Sequence, residues 1–116
     1  MSKSFTLSLF LLASVALTPG IAQAAPVTPK IFAEKGCIQC HSVSAYGLEG
    51  STAGPDLSHA YSNVPKRVGV PLEQFMKQPT GTMEMVLTSM ITLTDAESQG
   101  IVRLLKSAGQ KKPKGK

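Results

Sequence analysis

Tryptophan is absent from the chain, and beyond its apolar N-terminus the only aromatic residues are Phe32, Tyr46, Tyr61 and Phe75. So few large rings in so short a chain leave a core of its own side chains marginal. Cysteine is limited to Cys37 and Cys40, which leaves no competing disulfide pairing. A zinc site needs four ligands, and outside residues 37–41 the chain offers only His59. The body carries no excess of either charge sign. Of 12 Lys and Arg, Lys3 lies at the N-terminus and Lys111, Lys112, Lys114 and Lys116 at the C-terminus, which leaves 7 against 7 Asp and Glu. Without a basic face interleaved with aromatics, nucleic-acid binding is not expected. A long apolar run is also missing: Phe5 to Leu17, 13 residues, falls short of the roughly 20 that a membrane-spanning helix needs.

What the chain does have is Cys37-Ile38-Gln39-Cys40-His41, a C-x-x-C-H pentad. Two thiols three positions apart lie on one side of a helical turn, where both can add to the vinyl groups of one porphyrin. The neighbouring imidazole of His41 then falls under the ring as an axial iron ligand. Three other uses of the pair are weaker. A thiol redox site calls for a strand-helix-strand frame, and no strand pattern precedes Cys37. Zinc lacks ligands, and a disulfide across so small a loop is strained and stabilises little. One covalent haem c per chain is therefore the expected cofactor. The porphyrin would supply the apolar area the side chains lack, so the apo-protein is expected to fold poorly.

The N-terminus agrees with that chemistry. Lys3, the apolar run Phe5 to Leu17, the break Thr18-Pro19-Gly20 and the small-x-small triplet Ala22-Gln23-Ala24 have the form of a secretory signal. Residues 1–24 are read as a signal peptide cleaved after Ala24, which points to the periplasm. Thioether formation needs both thiols reduced in a compartment where disulfides otherwise form.

Residues 25–108 read as one all-α domain. Thr28 is an expected N-cap with Pro29 at N1 and Val27 stapling onto Phe32, a helix that delivers the chain to Gly36 and the pentad. Residues 42–70 are rich in Gly, Ser, Pro and Asn without sustained periodicity, and read as a loop around a ligand with a turn at Gly54-Pro55-Asp56-Leu57. A short helix is expected from Pro71, with Leu72, Phe75 and Met76 on one face, ending before Pro79. The last helix starts at the capping box Thr94-Asp95-Ala96-Glu97, places Ile101, Leu104, Leu105 and Ala108 on one face, and stops at Gly109. Residues 109–116 read as a flexible basic tail, either a solvated end or a docking element for an acidic partner.

Taken together, Ile31-Phe32-Ala33-Glu34-Lys35-Gly36 before the pentad, Gly54-Pro55-Asp56-Leu57 after it, and Leu93 to Lys106 resemble a class I monohaem cytochrome c, over residues 28–108. The resemblance implies a small cytochrome c fold, with N- and C-terminal helices packed across each other and loops wrapping the haem. It implies that the Pro55 carbonyl accepts a hydrogen bond from His41. Leu104 stands where the family usually has an aromatic residue. A distal Met before the last helix is also implied. Met83 is preferred, because Pro79-Thr80-Gly81-Thr82-Met83 resembles the mitochondrial carriers' motif; Met85 fits the usual distance to the last helix. Met90, Met76, His59 or an open site remain as alternatives, Met90 being too close to Leu93 to reach the far face.

The function expected is that of an exported one-electron carrier, not an enzyme, exchanging electrons with donor and acceptor redox proteins and binding no small-molecule substrate. The alternative is a dedicated cytochrome subunit of a periplasmic oxidoreductase acting on sulfur or nitrogen compounds. Replacing both Cys37 and Cys40 by Ser should abolish covalent haem, read as loss of haem stain on the denatured polypeptide; a single replacement should leave at most one thioether.

Overall fold

The computed structural model describes residues 13–17, 20 and 25–112. The proposed cleavage site, most of the apolar N-terminal run, and Lys114 and Lys116 lie outside them. Among the described residues the structure is all-α with no strand. The elements are α1 (Ile31–Glu34), α2 (Ala60–Val68), α3 (Leu72–Lys77), α4 (Thr82–Met85) and α5 (Asp95–Gln110), with single tight turns at Cys37–Gln39, Ser44–Tyr46 and Leu57–His59.

The core forms where the two ends of the domain meet. Ile31 and Phe32 from α1 cluster with Ile101, Val102 and Leu105 of α5, joined by Val43, Ala60 and Leu72. Each large aliphatic or aromatic side chain so buried contributes about 1.5–3 kcal/mol. Half-buried Val27 lies over Gly100 of α5, where a Cβ would run into the valine side chain. Lys35 ties the same ends by charge, its Nζ lying 3.0 Å from Glu97 Oε2 and donating to Thr92 O at 3.0 Å. Tyr46 closes the seam: its ring stacks on Phe32 at 6.5 Å between centroids and its hydroxyl donates to Leu104 O at 2.6 Å.

α5 begins as the sequence indicates. Thr94 Oγ1 accepts from Glu97 N at 3.1 Å while Glu97 Oε2 accepts from Thr94 N at 2.9 Å, so both halves of the capping box form. The helix does not stop at Gly109. It continues to Gln110, and Lys111 is fastened to the body, donating to Ala45 O at 3.4 Å with its Nζ 4.2 Å from the centre of the Tyr46 ring. The last helix thus runs one residue past Gly109, and the Lys111 cation over the Tyr46 ring adds an attraction at its end.

Three other segments depart from expectation. Thr28 is not a side-chain cap: α1 starts after Lys30 with no side-chain hydrogen bond at its N-cap, although Thr28 O and Pro29 O accept from Ile31 N and Phe32 N in the approaching turn. Residues 42–70 are not all loop, because α2 occupies Ala60–Val68 despite Pro65 within it. Its apolar stripe, Ala60, Tyr61 and Val64, joined by Leu57 of the preceding turn, packs on the core, and it ends at Gly69, whose φ of +84° suits a residue without Cβ. The stretch holding the methionines is helical too. α4 runs into a wider π turn over Val86–Met90, closed by Ile91 N on Val86 O at 2.9 Å.

Glu97 sits below the ordinary carboxylate range because the Thr94 N–H and then the Lys35 ammonium bind its charged form. A depressed carboxylate stabilises the fold above its unfolded pKa and loses that contribution as pH falls through its folded pKa. Glu97→Gln should therefore destabilise the protein at neutral pH, and the gap in melting temperature to the unaltered protein should close on acidification below the carboxylate range; thermal melts across pH read this.

Candidate functional site

Local backbone geometry decides what the pentad presents. After α1 the chain turns at Gly36, with φ +81°, into the tight turn Cys37–Gln39. Cys37 O then accepts from both Cys40 N, at 3.2 Å, and His41 N, at 3.0 Å. The segment that follows doubles back over the pentad and bonds to two more of its carbonyls and to that of Ser42. Ser51 N donates to Ile38 O at 3.2 Å, Gly54 N to Cys40 O at 2.6 Å, and Leu57 N to Ser42 O at 2.8 Å. Ser42 Oγ accepts from Gly50 N at 3.0 Å. With its peptide groups engaged in this way, the pentad has its side chains left to do chemistry.

Those side chains are two free thiols and one oriented imidazole. Cys37 is half-buried and Cys40 exposed, and neither is in a disulfide. Desolvation pushes the Cys37 thiol up, which holds it protonated at neutral pH. His41 Nδ1 lies 2.7 Å from Pro55 O. A prolyl carbonyl can only accept, so Nδ1 carries a proton, and in the neutral ring Nε2 is then the nitrogen with the lone pair, the arrangement of a metal-ligating imidazole.

Glycine makes this approach possible. A Cβ on Gly54 would meet the His41 ring, and one on Gly50 would meet the carbonyls of Ile38 and His41. The donor set and its spacing fit a porphyrin held by two thioethers and one axial nitrogen. Next to it, Val43 and Leu48 close a small loop by paired backbone bonds, and buried Ser58 accepts from Ala45 N at 2.9 Å. Asp56 Oδ1 accepts from Ser58 N at 2.8 Å. Burial would raise the Asp56 carboxyl, but donors from Ser44 and Ser58 outweigh it and hold it below the ordinary range.

The structure brings Cys37, Cys40, His41 and Pro55 together. Met83, Met85 and Met90 lie on α4 and its π turn: Met83 is half-buried, while Met85 is 58% and Met90 69% exposed; Met76, on α3, packs against the core. His59 is exposed at the end of the turn before α2. No protein-family model, curated protein or solved structure matches this chain.

Gly54, Gly50, Ser42 and Tyr46 were not singled out by the sequence as parts of the site. The two glycines flanking the Ser51-Thr52-Ala53 turn are a signal for close backbone approach, but what approaches them is a tertiary fact. Gly54→Ala should drive the imidazole away from Pro55 and cost about 1–3 kcal/mol, the usual range for overpacking. A fall in melting temperature together with loss of the Nδ1–H tautomer signature in imidazole ¹⁵N spectra would show it.

Proposed function

We propose that this protein is an exported, periplasmic one-electron carrier with a single covalently attached haem c, built on a small cytochrome c fold. One arrangement carries the reading: the segment returning over the pentad bonds to the carbonyls of Ile38 and Cys40, and Pro55 O holds His41 through Nδ1, which leaves Nε2 as the donor nitrogen of the neutral ring. A thiol redox site has no use for an imidazole held in this way, and among the described residues no group of three or more His, Cys, Asp or Glu is placed to hold a zinc ion.

In this reading Cys37 and Cys40 form the thioethers and His41 Nε2 is the proximal donor. When bound, the haem supplies an iron centre that gains and loses one electron. The protein's part is to hold and tune it. The Pro55 carbonyl accepts the Nδ1–H hydrogen bond and makes Nε2 a stronger donor. Core residues Ile31, Phe32 and Leu105 exclude water from the packed interior beside the pentad. Met83 on α4 would supply the second side-chain donor to the iron, with Met85 the alternative. With side chains as both donors the iron would bind no substrate, so the chain is a carrier and not an enzyme. Its partners are then donor and acceptor redox proteins.

Methionine substitution tests the distal assignment. Met83→Ala should abolish the long-wavelength charge-transfer band of the oxidised protein and lower its potential, since Met ligation raises potential. Met90→Ala should change neither. Loss of the band in Met85→Ala alone would move the ligand to Met85, and its persistence in all three single variants would overturn ligation from this segment.

A further inference from the structure

After Glu97 the chain has no acidic residue, while Arg103, Lys106, Lys111, Lys112, Lys114 and Lys116 follow. The first four are all exposed. α5 thus ends in a strip of one charge sign on a body otherwise balanced. Where that strip leaves the body is decided by Tyr46. Its ring is fixed on one side by the Phe32 stack and at its tip by Leu104 O. Lys111 then seats its ammonium over the ring at 4.2 Å, within reach of Ala45 O at 3.4 Å. Lys106 repeats the arrangement over Tyr61 at 5.5 Å.

Tyr46 lies five positions after His41, in the small loop closed by Val43 and Leu48. The Lys111 contact therefore carries the positive end of α5 back to the segment that leaves the pentad, when it could have trailed from the far end of the helix. Asp56, whose carboxylate touches the same loop, is occupied by the N–H groups of Ser44 and Ser58 and is not placed to pair with Lys111.

We propose that Lys111, seated on Tyr46, and the adjacent Lys112 form a docking strip that draws the acidic face of an electron-transfer protein to the pentad side of the molecule. The inference rests on the carrier reading above, and adds the surface and the chemistry of the partner. Charge of this kind acts mainly on the association rate and is screened over roughly 8 Å at physiological salt, so its effect belongs to low ionic strength. Position, not total charge, is what the Tyr46 seat contributes.

The test moves the charge without removing it. In the double variant Gln110→Lys/Lys111→Gln the net charge is unchanged but the cation leaves the Tyr46 ring. With the reduced holoprotein, one electron passes to hexacyanoferrate(III), giving hexacyanoferrate(II). At low salt the double variant should react several-fold more slowly with this anion and at high salt equally fast; in the oxidised state, taking one electron from cationic hexaammineruthenium(II) to give hexaammineruthenium(III), it should react no more slowly at either. A second readout does not depend on haem: titration with polyglutamate should shift the backbone amide signals of residues 43–48 in the unaltered protein and leave them nearly still in the variant. Equal anion rates and equal polyglutamate shifts in the two proteins would overturn the proposal and leave only net charge. Matching melting temperatures establish that the variant folds. Failure of the carrier reading would look different, as absence of covalent haem with the polyglutamate difference intact.

Discussion

The site depends on a hydrogen bond between His41 Nδ1 and Pro55 O, 2.7 Å long. It sets the tautomer, and with the tautomer the one ring nitrogen able to bind a metal. It also sets where the chain must go, because a carbonyl can reach the ring only if the residues before it pass directly beneath. Gly54 and Gly50 are the positions at which that passage is made. The bonds from Ser51 and Gly54 to pentad carbonyls, and from Leu57 to Ser42 O, hold it there. A residue with a side chain at either glycine would force the returning segment out, and the imidazole would lose its orientation before any core residue moved.

The rest of the fold supports that loop from behind. Phe32 is fully buried and Tyr46 is stacked on it, and Tyr46 in turn is bonded to α5. α5 is anchored at its start by the capping box and by Lys35, and at its end by Lys111. The apolar contacts supply most of the stabilisation, since an ion pair that keeps contact with water, as Lys35–Glu97 does, is worth little by itself. The polar contacts help decide register: Lys35 with Glu97 and Tyr46 with Leu104 each join a specific residue near the pentad to a specific residue of α5.

The sequence made the pentad, the capping box of α5 and the helix after Pro71 legible, because each is a local pattern with a local physical cause. α2 was hidden by its composition. Ser62, Asn63 and Pro65 read as loop residues, yet Leu57, Ala60, Tyr61 and Val64 keep the spacing of one helical face, and burial against α5 outweighs the hydrogen bond that Pro65 cannot donate. α4 was hidden for another reason: Thr82 to Met90 has weak periodicity, and a π turn shifts the residues that share a face. The seat of Lys111 on Tyr46 joins positions 65 apart in sequence, and no local pattern signals such a contact. Which methionine would serve the proposed haem is likewise a matter of tertiary placement, and three methionines in one short helical segment offer the sequence no means of choosing.

The contacts also differ in how much chain they enclose. His41 and Pro55 are 14 positions apart, whereas Lys35 and Thr92 are 57 apart and Tyr46 and Leu104 are 58 apart. Closing a short loop costs less entropy than closing a long one, and contacts of small sequence separation form sooner. A chain that emerges N-terminus first exposes the whole of residues 37–57 well before α5 exists. The two thiols and the oriented imidazole therefore belong to the part of the molecule that can organise by itself, while the seam between α1 and α5 must wait for the last residues. Capture of a ligand at the pentad can in this way precede, and then template, closure of the domain around it.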